Sequence, residues 1–127
     1  MDPYVLSLER AGWAWPGGQS KNQWGQLGWH WLHTNAAQFP ARPTPHDVFV
    51  MHTRLWRFIT NLPCIDCRGH ATKYVHDHPP PLTSGAAAFQ QWAWAFHNTV
   101  NARLGKRTIT FPESQRFYAA MRTGRGY

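Results

Sequence analysis

Residues 85–106 read GAAAFQQWAWAFHNTVNARLGK. Phe89, Trp92, Ala93, Phe96, Val100 and Leu104 recur at spacings of three and four, which puts them on one helical face and turns that face toward a core. Thr83 or Ser84 can cap the start and Gly105 can stop the end, so the spacing predicts a helix from about Gly85 to Leu104. His97 and Asn101 form a second stripe on this helix, and Lys106 follows at its end.

The same period recurs upstream. Trp24, Leu27 and Trp31 make one stripe, and Gly25, Trp29 and His33 another, in a run that ends near Phe39-Pro40. After the Pro-rich connector 41–45, a second helix fits His46 to Asn61, with Val48, Met51, Leu55, Phe58, Ile59 and Leu62 inward. Pro63 disfavours helix in the residue before it and suits a first helical turn, so a third helix is expected from Cys64 to about His76. Downstream of residue 106, Thr108 to Phe111 reads as extended, and Pro112-Glu113 opens a last short helix to about Met121. Residues 1–20 read as a loose arm punctuated by Pro16-Gly17-Gly18, and 122–127 as a tail. There are no internal repeats and only one short strand candidate, which makes the class all-α, with a single domain over residues 21–121.

Composition bounds the function. The chain has 127 residues, of which 15% are aromatic, including eight tryptophans; that is more ring surface than packing a small bundle requires, and some of it is suited to stacking on a planar ligand. Thirteen Lys and Arg against six acids give a net charge of +7, which favours anionic partners such as nucleic acid, acidic protein or cofactor phosphate. The charges are scattered, apart from Arg116, Arg122 and Arg125 near the end. No stretch approaches the roughly 20 apolar residues of a membrane span, and residues 1–10 lack a secretory apolar core. The expectation is a soluble protein with no membrane partner.

Cys64 and Cys67 are the only cysteines, three residues apart. On one helical turn such a pair can close into a disulfide and reopen. A helix N-terminus favours the thiolate, with Arg68 and His70 adding positive potential nearby. Two other readings stay open on the residues alone: inert buried cysteines, or half of a zinc site completed by His70, His76 and His78. The zinc reading would suit a basic nucleic-acid-binding module with tryptophans as stacking platforms. A thioredoxin-type context is excluded, because Leu55 to Leu62 enters the pair with helical rather than alternating spacing.

Three ordered blocks carry a resemblance. Trp24-Gly25-x3-Trp29-x2-Leu32-His33-Thr34, then Leu62-Pro63-Cys64-x2-Cys67, then Trp92-x4-His97-Asn98-x-Val100-Asn101-x2-Leu104-Gly105-Lys106 resemble the Erv/ALR FAD-linked sulfhydryl oxidases, from about Trp24 to Tyr118. The short chain with a single cysteine pair is most similar to the small forms encoded by large DNA viruses. The resemblance implies a four-helix bundle plus a short fifth helix, FAD at the mouth of the bundle, no metal, and a homodimer. It implies oxidation of thiol-containing substrate proteins, with oxygen as acceptor and hydrogen peroxide as product. A viral CxxC relay protein and a location in the host cytoplasm or the virion follow from the same likeness.

Carried over position by position, the family's cofactor contacts fall on Gly25, Trp29, His33, Cys67, His97, Asn98, Val100, Asn101, Leu104, Lys106 and Tyr118. The same likeness makes Cys67 the flavin-facing sulfur and Cys64 the one that meets substrate. Two departures stand out. Gln26 replaces an arginine common in the family, and Trp94 and Phe111 occupy positions that hold a disulfide in cellular members, so aromatic packing is expected to replace that staple.

Overall fold

The computed structural model describes residues 3–15 and 21–120. Among these residues six α-helices follow one another: α1 Pro3–Arg10, α2 Lys21–Gln38, α3 Pro45–Thr60, α4 Ile65–Asp77, α5 Ala86–Arg103 and α6 Phe111–Ala120. A 3-10 turn at Leu82–Ser84 precedes α5, and no strand is present among the described residues. The all-α bundle with a short last helix is as expected. The expected tail, Met121 and Pro16-Gly17-Gly18 lie outside the described residues.

Helix α2 is the hub. It packs most extensively along α5 and also meets α1 and α6. Trp31 and Leu32 are fully buried, and Phe39 beyond the helix end meets Phe89 edge-on at 5.5 Å. Helix α3 supplies the second wall through Met51, Leu55, Phe58 and Ile59, all from the expected inward stripe. Its start is a capping box in which Thr44 Oγ1 accepts the Asp47 amide while Asp47 accepts the Thr44 amide, with Pro45 in the first turn.

Three local features differ from the sequence reading. The cap of α5 is Gly85, not Thr83 or Ser84, because the 3-10 turn takes up both polar residues. Gly85 sits at φ +90°, a conformation that L side chains rarely adopt, and a Cβ there would meet the Ala41 carbonyl oxygen at 2.2 Å. The connector after α2 can therefore lie directly on the start of α5, where the Ala86 amide donates to the Pro40 carbonyl.

The second difference is at Cys64, which is the residue capping α4 rather than part of its first turn. The third lies in the expected loose arm. Pro3–Arg10 is a helix whose Val5 and Leu8 are buried, and Glu9 accepts hydrogen bonds from Trp31 and Arg54. Trp13 follows at φ +64°, a left-handed conformation costing about 1–3 kcal/mol in a non-glycine residue. Burying its ring to 2% exposure against Trp31 and Phe58 offsets that cost.

Candidate active site

The two sulfurs occupy different surroundings. Cys64 has extended backbone, and its Sγ accepts the Cys67 amide at 3.3 Å, so it sits at the positive end of α4 where negative charge on sulfur is stabilised. The next residue, Ile65, is 76% exposed. Cys67 instead forms part of the wall of a cleft of about 250 Å³. Both cysteines are half-buried free thiols; Cys67 lines the cleft, and Cys64 caps α4 outside its wall.

The cleft is built where four helices converge. Helix α2 contributes Trp24, Gly25, Gly28 and Trp29, and α3 with the residues after it contributes Phe58 and Leu62. Helix α4 adds Cys67 and Ala71, while Phe96, Val100, Asn101, Arg103, Leu104 and Lys106 come from α5 and the turn beyond. The walls are mostly aromatic and aliphatic, with cations at the α5 end. Gly25 matters by what it lacks: nothing lies within 4 Å of where its Cβ would be, so any side chain there would enter open cleft.

Behind this wall runs a ladder of flat rings. Trp29 stacks on His97 at 3.9 Å and 9°, and His33 stacks on Tyr118 at 3.9 Å and 13°. His33 Nε2 and His97 Nδ1 join the two halves by a 2.8 Å hydrogen bond, with one of the two nitrogens carrying the proton between them. Burial, with a smaller contribution from nearby His30, pushes the His33 pKa down to about 3, so its ring is neutral at pH 7. The ladder thus holds a neutral His33 ring between His97 and Tyr118.

The α5 asparagines shape the chain that follows. Asn101 donates to the Arg107 carbonyl at 2.9 Å and accepts the Lys106 amide on its own carbonyl at 2.7 Å, while Gly105 at φ +71° lets the chain turn. That turn brings Leu104 and Lys106 to the cleft. Asn98 donates to the Ile109 carbonyl at 2.6 Å and accepts the Ile109 amide at 3.2 Å. Trp94 Nε1 donates to the same carbonyl at 2.7 Å, and its ring meets Phe111 at 5.7 Å. The expected Trp94–Phe111 contact is present, reinforced by polar bonds that the sequence did not announce.

Of the expected cofactor residues, Gly25, Trp29, Cys67, Val100, Asn101, Leu104 and Lys106 share the cleft. His33, His97 and Tyr118 form the ladder behind it, and the Asn98 side chain is turned to Ile109. Sequence reasoning missed Trp24, Gly28, Phe58, Leu62, Ala71, Phe96 and Arg103 as cleft residues. Phe58, Leu62 and Phe96 lay in inward stripes and read as core, and the cleft is the open end of that core. Gln26 is exposed, whereas Arg103 supplies a second cation beside Lys106. His70, His76 and His78 are exposed, and no group of three or more His, Cys, Asp or Glu suited to a metal exists among the described residues. No helix among them is long and apolar enough to cross a membrane.

Fold and site together define a helical bundle with a cysteine pair at the edge of an aromatic cleft. Comparison with known proteins places this class. The model of the Erv1 / Alr family matches residues 26–119. An FAD-linked sulfhydryl oxidase of African swine fever virus is 37% identical over 95 residues, 75% of this chain and 79% of that protein. A probable FAD-linked sulfhydryl oxidase of Acanthamoeba polyphaga mimivirus is 31% identical over 97 residues, covering 75% and 68% respectively. The crystal structure of the FAD binding domain of Erv1 from Saccharomyces cerevisiae superposes with a TM-score of 0.74 at 27% identity, over 82% of this chain and 99% of that domain. The chain belongs to the Erv1/Alr family.

Proposed function

We propose that this protein is an FAD-dependent thiol oxidase that makes disulfides in other proteins and reduces oxygen to hydrogen peroxide. The observation that carries this reading is the split placement of the pair, with Cys67 in the cleft wall and Cys64 capping α4 beside exposed Ile65. The cleft fits FAD in its chemistry. It has flat aromatic walls for a ring system, open space at Gly25 for close approach, and Arg103 and Lys106 for phosphates. Gly25, Trp29, Cys67, Val100, Asn101, Leu104 and Lys106 would hold the cofactor directly. His33, His97 and Tyr118 would offer their ring faces, and Asn98 would act through its hold on Ile109.

Bound FAD would supply the two-electron chemistry that links the reduced cysteine pair to dioxygen. The chain's own part is thiol–disulfide exchange. A substrate thiolate forms a bond to Cys64 Sγ as the Cys64–Cys67 bond breaks, and Cys67 departs as a thiolate. A second substrate thiolate then breaks the mixed disulfide, so the substrate leaves with a disulfide and the pair is left reduced by two electrons. The helix end at Cys64 stabilises the sulfur charge that develops there.

Oxygen uptake with dithiothreitol tests the activity. Purified protein should be yellow, release FAD on denaturation and consume oxygen, while Cys67→Ser should fall to the background rate. Oxygen uptake at the wild-type rate in Cys67→Ser would overturn the assignment. The relatives in large DNA viruses support a viral setting, with work in the host cytoplasm or virion and a CxxC relay protein as electron donor. A homodimer is supported by Phe49, 69% exposed on α3, and neighbouring Val50, an apolar surface that a second copy can cover. A monomer by light scattering at micromolar concentration would remove the dimer.

A further inference from the structure

The family match begins at residue 26, yet α1 and Trp13–Trp15 before it are built into the fold. We propose that residues 3–15 brace the cofactor cleft, with Trp13 and Trp15 as positioning residues that hold Phe58 and Trp24 in its wall. The inference rests on the reading of the cleft as an FAD site.

A segment that only added stability would need no connection to the cleft. This one has two. Trp13 packs on Phe58 at 5.1 Å, and Trp15 packs on Trp24 at 6.2 Å, while Trp13 and Trp15 stack on each other at 5.3 Å and 29°. Phe58 and Trp24 both line the cleft. Phe58 also packs closely on α2, because its ring lies 3.1 Å from where a Cβ on Gly28 would be. Trp24 lies in the first turn of α2, where helices fray, so a contact from outside the helix limits where its ring can go.

The other end of the brace is fixed by polar bonds. Glu9 accepts Trp31 Nε1 at 2.7 Å and an Arg54 guanidinium N–H at 3.0 Å, joining α1 to α2 and α3 at once. Arg54 also lies over the Trp31 ring, 5.6 Å from its centroid. The left-handed turn at Trp13 then directs the chain back over the bundle instead of into solvent. Glu9 anchors, Trp13 turns, and Trp15 reaches the cleft wall.

Coupling of this kind is reciprocal: if the brace favours bound FAD, bound FAD must favour the docked brace by the same factor. In the full-length protein, Trp15→Ala should raise the FAD dissociation constant about two- to tenfold, the range expected for one aromatic contact. Bound-flavin fluorescence should rise as the wall loosens, and Trp15→Phe should restore wild-type affinity. In the wild-type protein, FAD should slow amide hydrogen exchange in Pro3–Arg10 and at Trp13, an experiment that needs no variant and decides the matter even if Trp15→Ala fails to fold. Unchanged FAD affinity in a folded Trp15→Ala, or exchange that slows in α5 but not in α1, would refute the brace and leave the FAD site standing. If FAD altered no amide anywhere and did not bind wild-type protein, the FAD reading itself would fall.

Discussion

The two ends of the α2–α5 seam are made of different materials. Where α2 ends and α5 begins, Ala36, Phe39, Phe89 and Ala93 interlock without a polar side chain among them, and Gly85 lets the Pro40–Ala41 backbone settle on the helix start. About one to three turns along, Trp29, His33, His97 and Asn101 fill the same seam with ring nitrogens and an amide, and the cleft opens beside them. Burying polar groups is less favourable than burying hydrocarbon unless each finds a partner. Among the described residues, the buried ring nitrogens of the seam gather at the cleft end, where ring stacks and hydrogen bonds hold them. One end sets how firmly the bundle closes; the other sets what it closes around.

The largest effect is expected from Gly85→Ala at the dry end. A Cβ 2.2 Å from the Ala41 oxygen cannot be accommodated without moving backbone, and the residue is also forced to φ +90°. The expected cost is about 3 kcal/mol or more in unfolding free energy, from strain and clash together. Because the cleft is remote from this contact, FAD affinity of the folded fraction should be unchanged. Chemical denaturation and an FAD titration on the same variant check both halves. A stable Gly85→Ala, or one that folds normally but has lost FAD, would erase the division of labour between the ends.

A second prediction sharpens the polar end through pH. Folded His33 takes up a proton only near pH 3, whereas its ordinary value is 6.5. Between those values the unfolded chain holds the additional proton, so stability rises with pH through the window and is lost as pH falls. Stability of FAD-free protein should be full above about pH 7 and drop by about 2 kcal/mol by pH 5, before other groups are counted. Denaturant midpoints across this range, with His33→Gln as control, isolate the effect. A variant as acid-sensitive as wild type would show that the buried ring is not the source.

What the sequence disclosed follows the range of the interactions involved. The helices α2 to α6 were legible because their apolar spacing is local, and the motif residues of the cleft fell on stripes that could be read by counting. Helix α1 was not legible. It spans eight residues with only Val5 and Leu8 buried, and its anchor joins Glu9 to Arg54 across 45 positions, a pairing no local pattern encodes. The cap of α5 was misassigned for a similar reason: Thr83 and Ser84 have capping chemistry, but the three prolines before them favour a tight 3-10 turn that takes them up. Asn98 shows the limit of a motif. Its place in the block was plain, while its hydrogen bonds to Ile109 depend on where the chain returns after α5.

The smallest expected effect concerns that returning chain. Trp94 and Phe111 stand where cellular relatives are expected to carry a disulfide, and their rings do meet, but Phe111 is only half-buried. A fully buried ring would cost about 3–5 kcal/mol to truncate. Half burial and one aromatic pair reduce the expected cost of Phe111→Ala to about 1.5 kcal/mol. The polar clamp on Ile109 from Asn98 and Trp94 remains in this variant, so the segment should stay attached while α6 loosens at its first residue. Tyr118 rides on α6 and stacks on His33, so FAD retention should weaken measurably even though Phe111 lies outside the cleft wall. Melting curves with and without FAD separate the two contributions. A loss of stability equal in both would confine Phe111 to packing, and a wild-type curve in both would mean that the Ile109 clamp alone replaces the staple.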